Sequence, residues 1–107
     1  MGKKPKLTSE YLDHLIEEAT VDAYDESEQA VGFFNMIDEN LALPFMTNVL
    51  GLEVTVVKVD ITLRDQIVAV CSRGQATQPI PILDLPMPSP PPPGAEWIEA
   101  YRRCCGG

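Results

Sequence analysis

The feature that most constrains this fold is a long acidic segment that contains no lysine or arginine. Between Leu7 and Val57 the chain carries eleven Asp and Glu residues, and ten of them lie from Glu10 to Glu39. Carboxylates at this density repel one another, so they must lie on a solvated surface while apolar residues form the core. All eight Lys and Arg residues lie outside this segment. The charge pattern therefore predicts two parts with different roles.

Two amphipathic helices account for the acidic segment. Apolar residues recur at helical spacing over residues 9–24 and again over residues 27–40. Thr8 or Ser9 can cap the first helix, and Asp25 followed by Glu28 resembles a capping box for the second. We expect residues 22–26 to form a tight junction between the helices; the alternative is a continuation of the first helix.

Short runs rich in β-branched residues follow the helices and predict strands. Several runs have apolar residues at both even and odd positions, and therefore on both faces of the strand, as in residues 54–59. This pattern favours a small, tightly curled antiparallel barrel over an open sheet with one solvent-exposed face. Pro79, Pro81 and Pro86 confine the last strand to an edge. The predicted strands are 44–49, 54–61, 67–71 and 80–85, separated by turns at 50–51, 62–65 and 72–74.

The C-terminal part begins with a proline run at residues 87–94, which predicts an extended polyproline connector. A short closing helix over residues 95–103 is expected to dock through Trp97, Ile98 and Tyr101. The predicted fold is α+β, with two N-terminal helices covering a small antiparallel β-barrel of about five strands and a short C-terminal helix. We expect one domain over 1–107, divided into a flexible basic N-terminus (1–7), an acidic helical part (8–41), the barrel (42–86), the connector, the closing helix and a Cys-Cys-Gly-Gly tail (104–107).

Composition excludes several classes of function. A formal net charge of −8 argues against nucleic acid and against anionic membranes as partners. No run of 18 apolar residues is present, and no apolar stretch follows the basic start as in a secretion signal. Three Cys residues do not make a disulfide framework. We therefore expect a soluble cytoplasmic protein with free thiols.

Catalysis has little support in the sequence. The single histidine, His14, lies among helix-surface acids, and the chain has no phosphate-binding loop, dinucleotide fingerprint or metalloprotease His pair. Paired carboxylates catalyse acid/base reactions only where a pocket separates their pKa values. We do not expect an enzyme.

Two interpretations of the acid cluster remain open. It can be a solvated face that serves solubility, or it can bind a hard cation that relieves the repulsion. Calcium suits such a cluster best, because it takes six to eight oxygen ligands; magnesium needs fewer carboxylates, and zinc prefers His and Cys. No EF-hand loop is present. The candidate metal ligands are Asp22, Asp25, Glu26 and Glu28 at the helix junction, with Asp38 or Glu39 reaching in or making a second site.

Several distinctive motifs occur along the chain, at residues 18–29, 43–45 with 50–51, 67–71, 80–85 and 96–101. These motifs resemble a family of small bacterial calcium-binding proteins, which includes a cyanobacterial protein linked to heterocyst differentiation. The similarity covers about residues 8–103 and implies calcium binding through acidic sites that are not EF-hands, with buffering or sequestration of intracellular calcium as the role. It points to residues 22–29 and, more weakly, to Asp38. Met46 and Asn48 stand where relatives carry acids, which implies one lost or weakened site.

The terminal Cys104-Cys105 pair supports an alternative function. Adjacent thiols can bind a soft metal, oxidise between chains, or be the substrate of a modifying enzyme. In the last case the acidic domain is a recognition handle, and the protein is an interaction, carrier or peptide-precursor module. An unselected chain end is the plain alternative. Cys71 lies in a predicted strand and is expected to be a buried small hydrophobe.

Overall fold

The computed structural model describes residues 7–106 and has an α+β architecture. The predicted flexible segment 1–7 lies outside this range except for Leu7. Within it, three helices accompany one four-stranded antiparallel sheet. The elements are α1 Ser9–Thr20, α2 Glu26–Asn40, β1 Phe45–Val49, β2 Leu52–Ile61, β3 Ile67–Arg73, β4 Ala76–Pro81, a 3₁₀ turn Ile82–Asp84, and α3 Ala95–Cys105.

Side-chain caps define the start of both acidic helices. The Thr8 hydroxyl accepts a hydrogen bond from the Tyr11 N–H at 3.1 Å, and the Asp25 carboxylate accepts one from the Glu28 N–H at 2.8 Å. Each bond satisfies a backbone donor that has no partner inside its helix. Because α1 ends at Thr20, four residues earlier than predicted, the residues before α2 form the expected junction.

The sheet is open, so the predicted barrel of about five strands is wrong. The strand order is β1-β2-β3-β4, and within residues 7–106 the edge strands do not pair with each other. A bulge shifts the register between Val56 and Lys58, which leaves Val57 exposed while Val56 and Val59 are both buried. The apolar residues at both even and odd positions of β2 are therefore explained by a bulge and do not indicate a closed barrel.

The fourth strand starts earlier than the sequence suggests. It was predicted at 80–85, but β4 spans Ala76–Pro81 and the chain then enters the 3₁₀ turn. Pro79 and Pro81 lie opposite Val70 and Val68 of β3. Proline has no N–H to donate, and β4 tolerates this because it has a neighbour on one side only. The predicted edge position is confirmed.

The core lies between the helices and the sheet. Helix α2 packs against β2, and α1 and α3 pack against α2. The Phe33 ring contacts Tyr101 of α3 with 5.3 Å between ring centroids. Trp97 is buried and docks as predicted. Full burial of each large apolar side chain contributes about 1.5–3 kcal/mol. The largest fully buried side chains are Phe33, Ile37, Val56, Ile67, Ile82 and Ile98.

Helix α3 is two residues longer than predicted. It runs to Cys105, so both terminal cysteines lie in its last turn. Its start is held against the end of α2, because the Ala42 N–H donates to the Pro93 carbonyl at 2.8 Å. No helix among residues 7–106 has both the length and the apolar character needed to cross a membrane.

The backbone of the β1–β2 turn is strained at Leu50, and a substitution there can relieve the strain. Leu50 and Gly51 have φ values of 52° and 79°, and the Leu50 side chain is 97% exposed. A left-handed conformation costs most L-residues roughly 1–2 kcal/mol, and Asn tolerates it best. We expect Leu50→Asn to raise the free energy of unfolding by about 1 kcal/mol, as measured by chemical denaturation. Leu63→Asn is the control, because Leu63 is equally exposed without a positive φ. Equal gains in both variants would contradict the backbone explanation.

Candidate metal site

The structure divides the six predicted ligands among different surroundings. Three of them, Asp22, Glu28 and Glu39, line one hollow between the end of α1 and the side of α2, with a volume of about 490 Å³. We call it the junction hollow. Its lining residues are Ala19, Val21, Asp22, Ala23, Ser27, Glu28, Val31, Gly32, Asn35, Met36 and Glu39.

The other three predicted ligands lie elsewhere. Asp25 uses its carboxylate to cap α2. Glu26 lines a separate hollow on the opposite side of the first turn of α2. Asp38 is exposed and lines neither the junction hollow nor the hollow that contains Glu26. Because α1 ends at Thr20, Asp22 and Glu26 do not share a helical face, and the predicted four-acid cluster is split.

The carboxylates of the junction hollow are available to a ligand. Asp22, Glu28 and Glu39 are exposed, and within residues 7–106 their side chains make no hydrogen bond or ion pair. No lysine or arginine lines this hollow. The negative end of the α1 dipole lies at its wall and favours a cation.

Helix geometry separates Glu28 from Glu39 along the hollow. They are eleven residues apart in α2, which corresponds to about three turns and about 16 Å of rise. Calcium–oxygen distances are about 2.4 Å, so two glutamates at this separation do not bind the same ion. The hollow therefore has two ends: Asp22, Ser27 and Glu28 lie near the helix junction, and Asn35 and Glu39 lie one turn apart farther along α2.

Of the two uncharged oxygen donors in the hollow, Asn35 was not predicted, whereas Ser27 lies within the stretch 22–29 to which the family resemblance points. The signal was present in the helical spacing, since residues 28, 32, 35 and 39 repeat at i, i+4, i+7 and i+11 and share one face of α2. Gly32 opens this face: a Cβ there would overlap the carbonyl oxygen of Ala19 at the end of α1. The close approach of the helices shapes the hollow.

Other acids are already paired and are poor candidates. Asp13 lies on the exposed face of α1, and its carboxylate forms an ion pair with Arg103 of α3 at 2.8 Å. This hydrogen-bonded guanidinium lowers the pKa of Asp13. Glu18 lies 3.0 Å from His14 one turn away. Among the acids of α1, Glu10 and Glu17 make no such contact within residues 7–106.

A second hollow, which we call the cysteine hollow, has a volume of about 400 Å³. The Cys105 thiol donates a hydrogen bond to the Cys104 sulfur at 3.1 Å. Burial, the adjacent Cys104 thiol and the charge of Glu26 raise the pKa of Cys105 to about 12. It is therefore a protonated thiol at neutral pH, unlike an activated cysteine nucleophile. The hollow is lined by Glu26, Ser27, Gln29, Ala30, Arg64, Asp65, Tyr101, Cys104 and Cys105.

Comparison with known proteins identifies the family. A protein-family model of the CcbP type, described as "Calcium binding", matches residues 13–102. The chain belongs to this family. The crystal structure of CcbP from Anabaena superposes with a TM-score of 0.66 and 20% sequence identity, covering 99% of this chain and 98% of that one, so the two share a fold. No curated protein sequence matches the chain. The family is a calcium-binding family, which agrees with the resemblance found in the sequence.

The junction hollow fits calcium in chemistry but is not preassembled. Its polar side chains offer carboxylate, hydroxyl and amide oxygens, the donors that calcium prefers. Within residues 7–106, however, no three Asp, Glu, His or Cys side chains already stand close enough together to hold an ion. Ion binding would require exposed side chains to rotate inward, with water completing the coordination.

Proposed function

We propose that this CcbP-family chain binds calcium at the helix-junction end of the junction hollow, where Asp22 and Glu28 supply carboxylates and Ser27 supplies a hydroxyl. The observation that carries the proposal is the shared hollow, in which both carboxylates are exposed and make no ion pair within residues 7–106. Water molecules fill the remaining positions of an ion that takes six to eight ligands. Glu39 and Asn35 form a second, weaker position two to three helical turns farther along α2.

The role we propose is reversible buffering or sequestration of the ion. Calcium affinity follows the number of charged ligands and the rigidity of the site. Two carboxylates on rotatable side chains give an affinity of about 10⁻⁵ M, at the weak end of the range for intracellular calcium proteins. Helix α2 meets the end of α1 where Gly32 closely approaches the Ala19 carbonyl. Binding therefore orders side chains and leaves the helix packing in place, as suits a buffer.

Calorimetry tests whether calcium binds at all. We expect saturable heat when calcium is titrated into the protein in the presence of excess magnesium, because magnesium keeps its water and gains little from flexible carboxylates. Calcium at 100 times its dissociation constant should stabilise the fold by about 2.7 kcal/mol and raise the melting temperature. The absence of both heat and thermal stabilisation would contradict the proposed function.

A further inference from the structure

The cysteine hollow brings together two thiols and two carboxylates that the calcium proposal does not use. Cys104 and Cys105 come from the last turn of α3, Glu26 from the first turn of α2, and Asp65 from the β2–β3 turn. The two sulfur atoms are 3.1 Å apart. Thiolates are soft ligands that select ions such as Zn²⁺ and discriminate against calcium, which prefers oxygen.

We propose that Cys104 and Cys105, together with the Glu26 carboxylate, bind a thiophilic divalent cation such as Zn²⁺ or Cd²⁺ in the cysteine hollow. Two zinc–sulfur bonds of about 2.3 Å at a tetrahedral angle place the sulfur atoms about 3.8 Å apart. A small side-chain rotation opens the observed pair to that distance. Both thiols lose their protons to solvent on binding, so each ion releases two protons.

Electrostatics around the pair favour a cation. The last turn of a helix carries partial negative charge, and both cysteines lie in it. Glu26 and Asp65 add two carboxylates, whereas Arg64 is the one basic residue in the lining of this hollow. No three ligand-type groups among residues 7–106 stand close enough to hold an ion as they are. The pair of sulfurs therefore binds first, and the long, exposed Glu26 side chain closes onto the ion.

Cadmium titration of the reduced protein tests this proposal, because thiolate-bound Cd²⁺ absorbs in the ultraviolet. We expect the band to saturate at one ion per chain, with two protons released, and to persist in excess calcium. The double variant Cys104→Ser/Cys105→Ser should lose the band. Glu26→Gln should weaken binding about tenfold, while the matched control Glu28→Gln, on the opposite side of the same helix turn, should leave it unchanged.

Three outcomes would overturn the proposal. One is no sulfur-to-metal band in the wild-type protein, and another is saturation at one ion per two chains, which indicates bridging between chain ends. The third is equal binding by wild type and Glu26→Gln, which would show that the two thiols bind the ion without the Glu26 carboxylate. The Glu28→Gln protein separates this proposal from the proposed calcium function, because it should bind calcium more weakly than wild type and cadmium equally well.

Discussion

Gly94→Ala should strongly destabilise this protein. Gly94 precedes α3 with a φ of 93°, and a Cβ there would overlap the backbone of Asn40 and Leu41. Strain at a positive φ costs roughly 1–2 kcal/mol, and overpacking against the rest of the structure costs a further 1–3 kcal/mol. We expect the free energy of unfolding to fall by about 3 kcal/mol or more, measured by chemical denaturation.

Gly74→Ala is the matched control for this experiment. Gly74 also has a positive φ, 63°, but its Cβ would meet no atom within 4 Å. It should lose about 1 kcal/mol through backbone strain alone. If Gly94→Ala is no more destabilising than Gly74→Ala, the close packing of the α3 start against the end of α2 is contradicted. A Gly94→Ala chain that fails to fold, beside a folded Gly74→Ala chain, agrees with the expectation.

The helices could be predicted closely because their signals are local. Thr8 and Asp25 cap the helices they precede, as their positions in the sequence indicate. The acids occupy the exposed faces, and Phe33 and Ile37 lie in the core. The end of α1 was misplaced by four residues, since helical spacing continues through Ala23 although the chain turns after Thr20.

Sheet closure could not be predicted because it depends on long-range register. A bulge and a closed barrel both place apolar residues at successive positions of a strand, so Val56, Val57 and Val59 fit either. Which strands pair with β2 decides between a bulge and a closed barrel, and the sequence alone does not show the pairing. The shift of β4 has a similar origin: an edge strand tolerates Pro79 and Pro81, which sequence reasoning had placed at its beginning.

The candidate site was predicted as a cluster and is better described as two faces of one helix. Glu26 and Glu28 are two residues apart in sequence, yet they line different hollows because two helix positions differ by about 200° around the axis. Proximity in sequence therefore overstated proximity in space. Asp13 shows the converse: its partner Arg103 lies 90 residues away, and no local pattern indicates that pair.

Loss of the two junction carboxylates should have the largest effect on calcium binding. Asp22→Asn and Glu28→Gln keep size and polarity while removing the charge that calcium binds. We expect the double variant to bind calcium more than tenfold more weakly, which corresponds to about 1.4 kcal/mol or more. Its metal-free fold should be no less stable than wild type, because two mutually repelling charges are removed. Glu39→Gln alone should weaken only the second, lower-affinity position.

The most direct test compares this double variant with Glu10→Gln/Glu17→Gln in one set of calcium titrations. Both doubles change the formal net charge from −8 to about −6, and the control removes two exposed acids of α1 that form no ion pair within residues 7–106. A localised site predicts at least a tenfold loss of calcium affinity for Asp22→Asn/Glu28→Gln and less than about a twofold loss for the control. Equal losses in the two doubles would show that calcium responds to the diffuse field of the acidic surface, and would contradict a site in the junction hollow.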